Sequence, residues 1–461
     1  MKIHISGQAL AIQSKSPARE SKGQLPSPDG LAGSVEPALP RRPRLPCLAL
    51  QAAQPDRPTP LLRDSQPAVD FVHRFNSELK LPPDTLQRRN EMTVSSPAKF
   101  YRVNPALFYD DVLGVYFNMS NLLDPRKAPE IIIAGDCHLG NFGTLRARDG
   151  STFWGINDFD MAGKGTPEDD LERMATSLHL MSPLSTQQCN ELIADMAEAY
   201  LNELQRMAAC GSSEHGGITQ GEAHGVVADL IAKKSQETQA SLLKEFTKNG
   251  HFKRNKELRE VTPPERELVE GFLANYESKQ GDTPELKRPL QVLDIAAKME
   301  SGGSTYGLNR FFILVAAQDG EPRILDMKQE LPTAPEQNTG DTEEADADYI
   351  FSCMKALGGT FDPTMAAGTM DKDAYYIRER QREKGSLPIS EFTQPQQWRE
   401  LVENAAVAVA RAHAYQSGAA QAITDWVGDD RPTLIERLQS FAQVYAQQTV
   451  EDRAAYKESL T

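Results

Sequence analysis

Two short apolar segments that each run into a polar loop constrain the fold of this chain most. The first, EIIIAGD, is a β-branched run bounded by charged residues and glycine, which predicts a buried strand that feeds a loop. The second, STFWGIND, follows the polar turn RARDG and predicts another strand. Together they predict a strand-loop-strand unit whose loops, GDCHLGN and NDFD, carry acidic residues.

These loops contain the side chains that phosphoryl transfer from a nucleotide requires: a carboxylate facing the acceptor, and oxygen ligands that hold Mg²⁺ against the phosphates. Asp136 and Asn141 have the Asp-to-Asn spacing of a kinase catalytic loop. We therefore expect Asp136 to be the base and Asn141 a metal ligand. Asp158 precedes Phe159, as in a D-F-G motif, and is expected to bind the metal. Asp160 is a second ligand or an orienting partner, and caps and turns are the structural alternative.

Two further residues accompany the loops and are counted as catalytic candidates. His138 lies within the first loop, where it serves as a ligand, a phosphate contact or a brace for the loop. Arg173 follows Asp170 on the helix that begins in PEDDLERM, and a buried pair with a carboxylate would tie that helix to the loops. A surface ion pair is the alternative for Arg173.

Several motifs occur in the order seen in one bacterial family. GDCHLGNFG, INDFD and PEDDLERMATSL closely resemble the family catalogued as domain of unknown function 2252, from about residue 85 to the C-terminus. Further shared motifs are SPAKFYR, SGGSTYGLNRFFIL, ILDMKQE, YYIRE and ARAHA. That family is similar to the aminoglycoside-phosphotransferase branch of the kinase-like fold, with its HGDxHxxN and IDF/W motifs. Ala134 stands here where that branch has histidine, so the bracing is absent or supplied elsewhere.

A kinase-like site also needs groups that cover and neutralise the nucleotide phosphates. Glycine permits close backbone approach, and a lysine from a nearby strand pairs with the phosphates. Lys328 leaves the predicted strand RILDMK and fits that role, although the glycine-rich turn alone would also suit an ordinary hairpin. Arg102 and Arg378, in motifs shared with the family, could reach phosphate or acceptor groups. The predicted ATP-binding residues are Gly302, Gly303, Ser304, Gly307, Lys328 and Arg378.

The order of these segments predicts an α+β, bilobal, protein-kinase-like fold that is circularly permuted. In ordinary kinases the glycine-rich loop and the lysine precede the catalytic loop, whereas here they follow it. A conventional small lobe within residues 66–130 is the alternative, but that stretch is predicted to be helical. We expect a helical catalytic lobe at 66–285, a β-rich nucleotide-covering lobe at 286–385 and C-terminal helices at 386–461 that return to the first lobe.

Residues 1–65 predict a disordered leader, because they are rich in Pro, Ser, Gln and Arg and cannot bury a packed face. The first acidic residue is Glu20, and the continuous apolar core of a classical signal peptide is missing. The pattern resembles type III secretion leaders of plant-associated bacteria, which would place the protein in a host cell. An ordinary disordered tail on a bacterial cytoplasmic protein is the alternative.

Composition excludes several other classes. A formal charge of −15 argues against general nucleic-acid binding, which requires a surplus of Lys and Arg on one face. No run of about 18 apolar residues predicts a membrane span. The five cysteines are scattered without CxxC pairing, which favours neither a zinc cage nor a disulfide framework. The expected ligands are therefore ATP, Mg²⁺ and an unidentified acceptor, a host protein if the chain is secreted.

Three alternatives to phosphoryl transfer stay open at this point. A kinase-like site that binds its nucleotide in a flipped pose would transfer a nucleotidyl group instead. A pseudokinase-like binding module would retain the fold without activity. A metal-dependent phosphoesterase shares the G-D-x-H opening, but the further histidines of that class are not found in the expected setting.

Overall fold

A computed structural model describes residues 62–211, 215–280, 286–299, 303–339, 345–359 and 362–461. All of these belong to one compact unit, Gln54–Thr461. The predicted leader at 1–65 lies outside the described residues up to residue 61, as does Gly302 of the glycine-rich turn. Among the helices of these ranges, none combines the length and the apolar character needed to cross a bilayer.

The described chain begins with short helices, most of which start at a proline. Proline suits the first helical turn because its fixed φ matches a helix and its missing N–H would have no partner there. At Asn104 one helix ends and Pro105 begins the next, because a residue before proline avoids the helical region. The helices are α1 (Gln66–Glu78), α2 (Pro83–Thr93), α3 (Pro97–Val103), α4 (Pro105–Leu113) and α5 (Phe117–Ser120).

Two small antiparallel sheets follow, and they differ from the predicted strand-loop-strand unit. The elements are β1 (Ile131–Ile133), β2 (Phe142–Arg146), β3 (Thr152–Ile156), β4 (Gly163–Gly165), α6 (Pro167–Met181), α7 (Thr186–Cys210) and β5 (Gly217–Thr219). Strand β1 pairs with β4, whereas β3 lies between β2 and β5 in another sheet. The sequence prediction missed β2, which forms a hairpin with β3 across the turn RARDG. The loop GDCHLGN therefore connects two sheets.

The middle of the chain builds a six-stranded antiparallel sheet in the order β12-β13-β11-β10-β9-β8. Its first strand lies at Leu258, earlier in the chain than the predicted lobe boundary at residue 286. The elements are α8 (Gly225–Lys234), α9 (Gln239–Phe246), β6 (Thr247–Lys248), β7 (His251–Phe252), β8 (Leu258–Glu260), α10 (Pro263–Gln280), β9 (Val292–Lys298), β10 (Arg310–Val315), β11 (Arg323–Glu330), α11 (Ala334–Thr339), α12 (Ala347–Ala356), β12 (Ala366–Met370) and β13 (Asp373–Glu379).

The two faces of this sheet have different chemistry, because successive side chains in a strand point to opposite faces. One face is apolar and packs against helix α10, through residues such as Phe272, Ile313 and Met327. The opposite face carries charged residues on three adjacent strands. These are Arg310 on β10, Asp326, Lys328 and Glu330 on β11, and Arg378 on β13.

Three C-terminal helices complete the described chain: α13 (Pro395–Ala414), α14 (Ala419–Val427) and α15 (Arg431–Ser459). Their apolar faces share one core with the segments around β1 and β3. Trp154 of β3, Trp398 of α13 and Phe441 of α15 are all fully buried in that core. The helices at the end of the chain thus support the loops near its middle.

A buried ion-pair cluster attaches the start of the described chain to this core. Arg63 donates to both carboxylate oxygens of Asp111, at 2.7 and 2.6 Å, and to both oxygens of Asp452, at 2.8 Å each. Tyr445 donates its hydroxyl to Asp111, and Gln448 donates to Asp452. Arg63 lies within the stretch 1–65 that the sequence assigned to the leader, so the folded part begins slightly earlier than predicted.

We predict that Arg63→Ala lowers the free energy of unfolding by about 3 to 5 kcal/mol, because it leaves two buried carboxylates without their cation. Urea unfolding monitored by circular dichroism measures the change. Arg126→Ala is the matched control, since Arg126 also makes a two-bond pair with an aspartate, Asp124, but on the exposed surface. Equal destabilisation by the two variants would contradict the anchoring role of Arg63.

Candidate active site

The loop after β1 is held by a buried carboxylate from helix α6. Asp170 accepts hydrogen bonds from the backbone N–H groups of Ala134, at 2.8 Å, and Gly135, at 3.0 Å. Nε2 of His413 lies 3.0 Å from Asp170, and Nδ1 of His413 lies 2.8 Å from the hydroxyl of Tyr200. Asp170 and His413 thus brace the loop that contains Ala134 and Gly135. Asp170 belongs to the motif PEDDLER and His413 to ARAHA, so their contact joins two motifs that are far apart in the sequence.

Gly135 is required by the same loop. Its φ is +74°, a region that disfavours residues with a side chain. A Cβ placed there would overlap the carbonyl oxygen of Met161. The loop therefore passes so close to the segment after NDFD that only glycine fits.

Asp136 follows Gly135 and meets a buried arginine. Arg173 forms an ion pair with one carboxylate oxygen of Asp136, and the Arg173 side chain is completely buried. Its guanidinium stacks on the rings of Tyr101 and Phe108, with distances of 4.1 and 5.0 Å to the ring centroids. Burial raises the pKa of Asp136, and Arg173 opposes that rise. Arg173 thus orients the carboxylate and stabilises its charged form.

His138 lies beside Asp136 and is buried. Its Nδ1 accepts a hydrogen bond from the N–H of Gly140, and its Nε2 lies 3.1 Å from Nε of Arg102 and 3.7 Å from the Asp136 carboxylate. Burial, together with the charges of Arg102 and Arg173, holds the pKa of His138 well below its usual range. The imidazole is therefore neutral at pH 7 and braces the loop next to Arg102.

Asn141 and Asp158 offer oxygen atoms to the same cavity. The side-chain amide of Asn141 donates to the backbone oxygen of Asp136 at 2.9 Å, which leaves its carbonyl oxygen for a cation. The carboxylate of Asp158 has no hydrogen bond or ion pair to a described side chain. Burial would raise the pKa of Asp158, but Lys328, Lys384 and other cations outweigh burial and lower it. Asp158 is consequently ionised.

This donor set fits Mg²⁺ better than a softer metal. Within the described ranges no group of three or more His, Cys, Asp or Glu side chains is arranged to hold a metal ion. Mg²⁺ is usually held by one or two carboxylates together with substrate phosphates and water, which is what Asp158, Asp160 and Asn141 would provide. A zinc site would instead require a closed set of nitrogen or sulfur ligands.

Lys328 reaches the cavity from the six-stranded sheet. Its ammonium forms an ion pair with Asp160 in the loop after β3, so the sheet and the NDFD loop meet at this contact. Glu330 lies 3.9 Å from the same ammonium and is fully buried. Burial raises the pKa of Glu330 to about 8, so this carboxyl group is largely neutral at pH 7. Asp160 is therefore the closer carboxylate partner of Lys328.

The structure brings three of the six predicted ATP-binding residues, Gly303, Ser304 and Lys328, to the cavity. Gly303 and Ser304 line it, and Gly302 lies outside the described residues. Gly307 does not line it; its φ is +95°, and a Cβ there would meet the side chains of Leu81 and Thr85. Arg378 lines a separate small cavity that shares Asp160 and is otherwise mainly apolar.

The cavity also contains residues that the sequence prediction missed. Arg310 and Thr305 are among its lining residues, as is Arg102, which the sequence had suggested as a phosphate or acceptor contact. Asp170 and His413 lie behind the loop. Arg310 lies in the segment SGGSTYGLNRFFIL and His413 in ARAHA, so both residues lie in motifs that the sequence analysis had assigned to the family. Only the fold shows which face of its strand or helix each residue occupies.

Comparison with known proteins yields one family match. The model of a family described as "Uncharacterized protein conserved in bacteria (DUF2252)" matches residues 81–459. No curated protein and no solved structure matches the chain.

We predict that Gly135→Ala destabilises the protein by about 3 kcal/mol or more, because the new Cβ overlaps a backbone carbonyl and the backbone must move. Gly150→Ala is the matched control, since Gly150 also has positive φ, +85°, but open space around it. Its expected cost is about 1 to 2 kcal/mol, the conformational term alone. Thermal unfolding measures both, and a Gly135 variant no less stable than the control would refute the close approach.

Proposed function

We propose that this chain, which belongs to the bacterial family DUF2252, is a Mg²⁺-dependent phosphotransferase that uses ATP. The observation that carries the proposal is the ion pair between Lys328 and Asp160. It places a strand lysine at the cavity that also contains Asp136, Asn141 and Asp158. A base, oxygen ligands and a phosphate-pairing cation in one cavity are the parts that phosphoryl transfer requires.

Asp136 is the proposed base. The acceptor hydroxyl would give its proton to the Asp136 carboxylate as its oxygen forms a bond to the γ-phosphorus of ATP. The bond from that phosphorus to the bridging oxygen breaks, and ADP leaves. The ion pair with Arg173 keeps the carboxylate in one orientation, which supports catalysis by positioning.

Asn141 and Asp158 are the proposed Mg²⁺ ligands, with Asp160 as a second carboxylate. When bound, Mg²⁺ supplies charge neutralisation and a fixed arrangement of the nucleotide phosphates. Asp158 suits this role because it is ionised and has no side-chain partner among the described residues. Lys328 would pair with the phosphates, as the corresponding strand lysine does in kinases.

A permuted kinase-like fold accounts for the order of these parts along the chain. The sheet has a glycine-containing turn between β9 and β10, the lysine on β11 and a helix, α12, before its last two strands. These are the elements that precede the catalytic loop in ordinary kinases, and here they follow it. The proposed lobes meet where Lys328 contacts Asp160.

The acceptor is a protein or a small molecule, and a host protein if residues 1–65 direct type III secretion. Nucleotidyl transfer uses the same groups on the α-phosphorus and is distinguished by the label that is transferred. A phosphoesterase is less well supported, because both ring nitrogens of His138 already face Gly140 and Arg102. A pseudokinase would bind ATP without transfer.

We predict that the protein transfers label from γ-labelled ATP in the presence of Mg²⁺, to itself or to proteins of a bacterial or plant lysate. Asp136→Asn should reduce transfer by about 10²- to 10⁴-fold, the usual contribution of a general base, and leave nucleotide binding nearly unchanged. Asp158→Asn should weaken Mg²⁺-dependent binding of a non-hydrolysable ATP analogue, measured by calorimetry. Asp319→Asn, at an exposed turn, is the control.

The outcomes separate the candidate functions. Transfer of the γ-label alone supports a phosphotransferase, whereas transfer of an α-label supports nucleotidyl transfer. Binding without transfer of either label identifies a pseudokinase. A wild-type protein that neither binds the analogue nor transfers label would show that the kinase-like proposal is wrong.

A further inference from the structure

We infer that the charged face of the six-stranded sheet holds a second anion subsite, formed by Arg310, Arg378 and Lys384, that binds a diphosphate group. The inference rests on the proposed function, in which this group is the diphosphate portion of the leaving group. None of the three residues is needed to explain the base or the metal ligands. Together they would define where the non-transferred phosphates lie.

Register places two of these cations on one face of the sheet. Arg310 of β10 lies opposite Lys328 of β11, and Arg378 of β13 lies opposite Asp326 of β11. Since Asp326 and Lys328 are two residues apart on one strand, all four side chains share a face. This face continues from the Lys328–Asp160 contact towards the middle of the sheet.

Arg310 presents a free edge to the cavity. Its Nε and Nη2 donate to the two oxygens of Asp326, at 2.8 and 2.6 Å. Its third nitrogen, Nη1, has no hydrogen-bond partner among the described residues, and Arg310 lines the cavity that contains Asp158. A guanidinium fixed on one side by a carboxylate and open on the other is well suited to bind a phosphate oxygen.

Arg378 and Lys384 lack an acidic partner. Arg378 is 8% exposed, and its guanidinium lies over the ring of Tyr376 without a hydrogen bond or an ion pair to any described residue. The half-buried ammonium of Lys384 likewise has no such partner. Burial, together with the charges of Arg378, Arg310 and Arg380, lowers the pKa of Lys384 well below its usual value. Several basic side chains are thus crowded together.

Charge balance indicates an anionic ligand. Five basic side chains stand around this part of the face, and among the described residues only two of them, Arg310 and Lys328, form ion pairs. Buried cations without counter-charge destabilise a protein unless a ligand compensates them. The basic residues are Arg310, Lys328, Arg378, Arg380 and Lys384; Arg310 pairs with Asp326, and Lys328 with Asp160 and Glu330.

The same face is closed beyond this cluster. On this face the residue after Arg310 on β10 is Phe312, and the residue before Asp326 on β11 is Ile324. Both are buried in a cluster with Phe246 of α9 and Phe252 of β7. Arg380 lies over the rings of Phe246 and Phe312, at 5.1 and 5.8 Å from their centroids. A ligand in this direction meets a packed apolar cluster. The subsite therefore suits a compact, highly charged group more than a nucleobase.

Calorimetry with inorganic pyrophosphate tests the subsite without turnover. We predict that the wild-type protein binds pyrophosphate and that Arg378→Met and Lys384→Met each weaken this binding by about tenfold or more, as expected for loss of a charge-assisted contact. Arg382→Met is the matched control, because Arg382 lies in the same segment, is 40% exposed and pairs with Glu383. Thermal unfolding of each variant establishes that it is folded.

The subsite would be refuted if the wild-type protein did not bind pyrophosphate or if both variants kept its affinity. An equal loss of affinity in the Arg382→Met control would also refute it. The result is separable from the proposed function. If the protein transfers label from ATP but its pyrophosphate affinity is unchanged by both substitutions, the proposed phosphotransferase activity is supported and the subsite is refuted. Variant-sensitive pyrophosphate binding without any label transfer would support the subsite and reject the phosphotransferase.

Discussion

The Asp170 carboxylate fixes the loop on which the candidate site depends. Two consecutive backbone N–H groups after β1 donate to it, and both are buried. A buried N–H without an acceptor costs about 1 to 3 kcal/mol, so the loop cannot leave this conformation without a substantial loss of stability. Asp136 directly follows these two residues. Its position is therefore set by helix α6, and through His413 by helix α13 near the end of the chain.

Three aspartates that line one cavity differ in their side-chain partners. Asp136 is paired with the buried Arg173, which suits a group that must keep one orientation. Asp160 is paired with Lys328 from the sheet. Asp158 is not paired with a described side chain, although several cations at longer range lower its pKa. Similar residues placed close together can thus take the separate roles of base, lysine partner and metal ligand in the proposed reaction.

The sequence predicted those features of the fold and site that are determined by residues close together along the chain. The apolar run before GD, the spacing from Asp136 to Asn141 and the amphipathic helix after NDFD all rest on contacts within about one turn or strand. Strand β2 was missed because its residues, FGTLR, become a strand only by pairing with β3. The hydrogen bonds from residues 134 and 135 to Asp170, and the contact of His413 with it, join segments far apart in sequence. No periodicity in the sequence encodes such pairs.

The contact of Lys328 with Asp160 balances two opposite charges at the point where the NDFD loop meets the sheet. In the structure each charge at this point has a partner, so neither is buried alone. In the proposed reaction, Mg²⁺ and the phosphates would take over these partners, since Asp160 would bind the cation and Lys328 the anion. Glu330, 3.9 Å from Lys328, remains beside the lysine during that exchange. The same ion pair therefore joins the loop to the sheet and, in the proposed reaction, marks where Mg²⁺ and the phosphates bind.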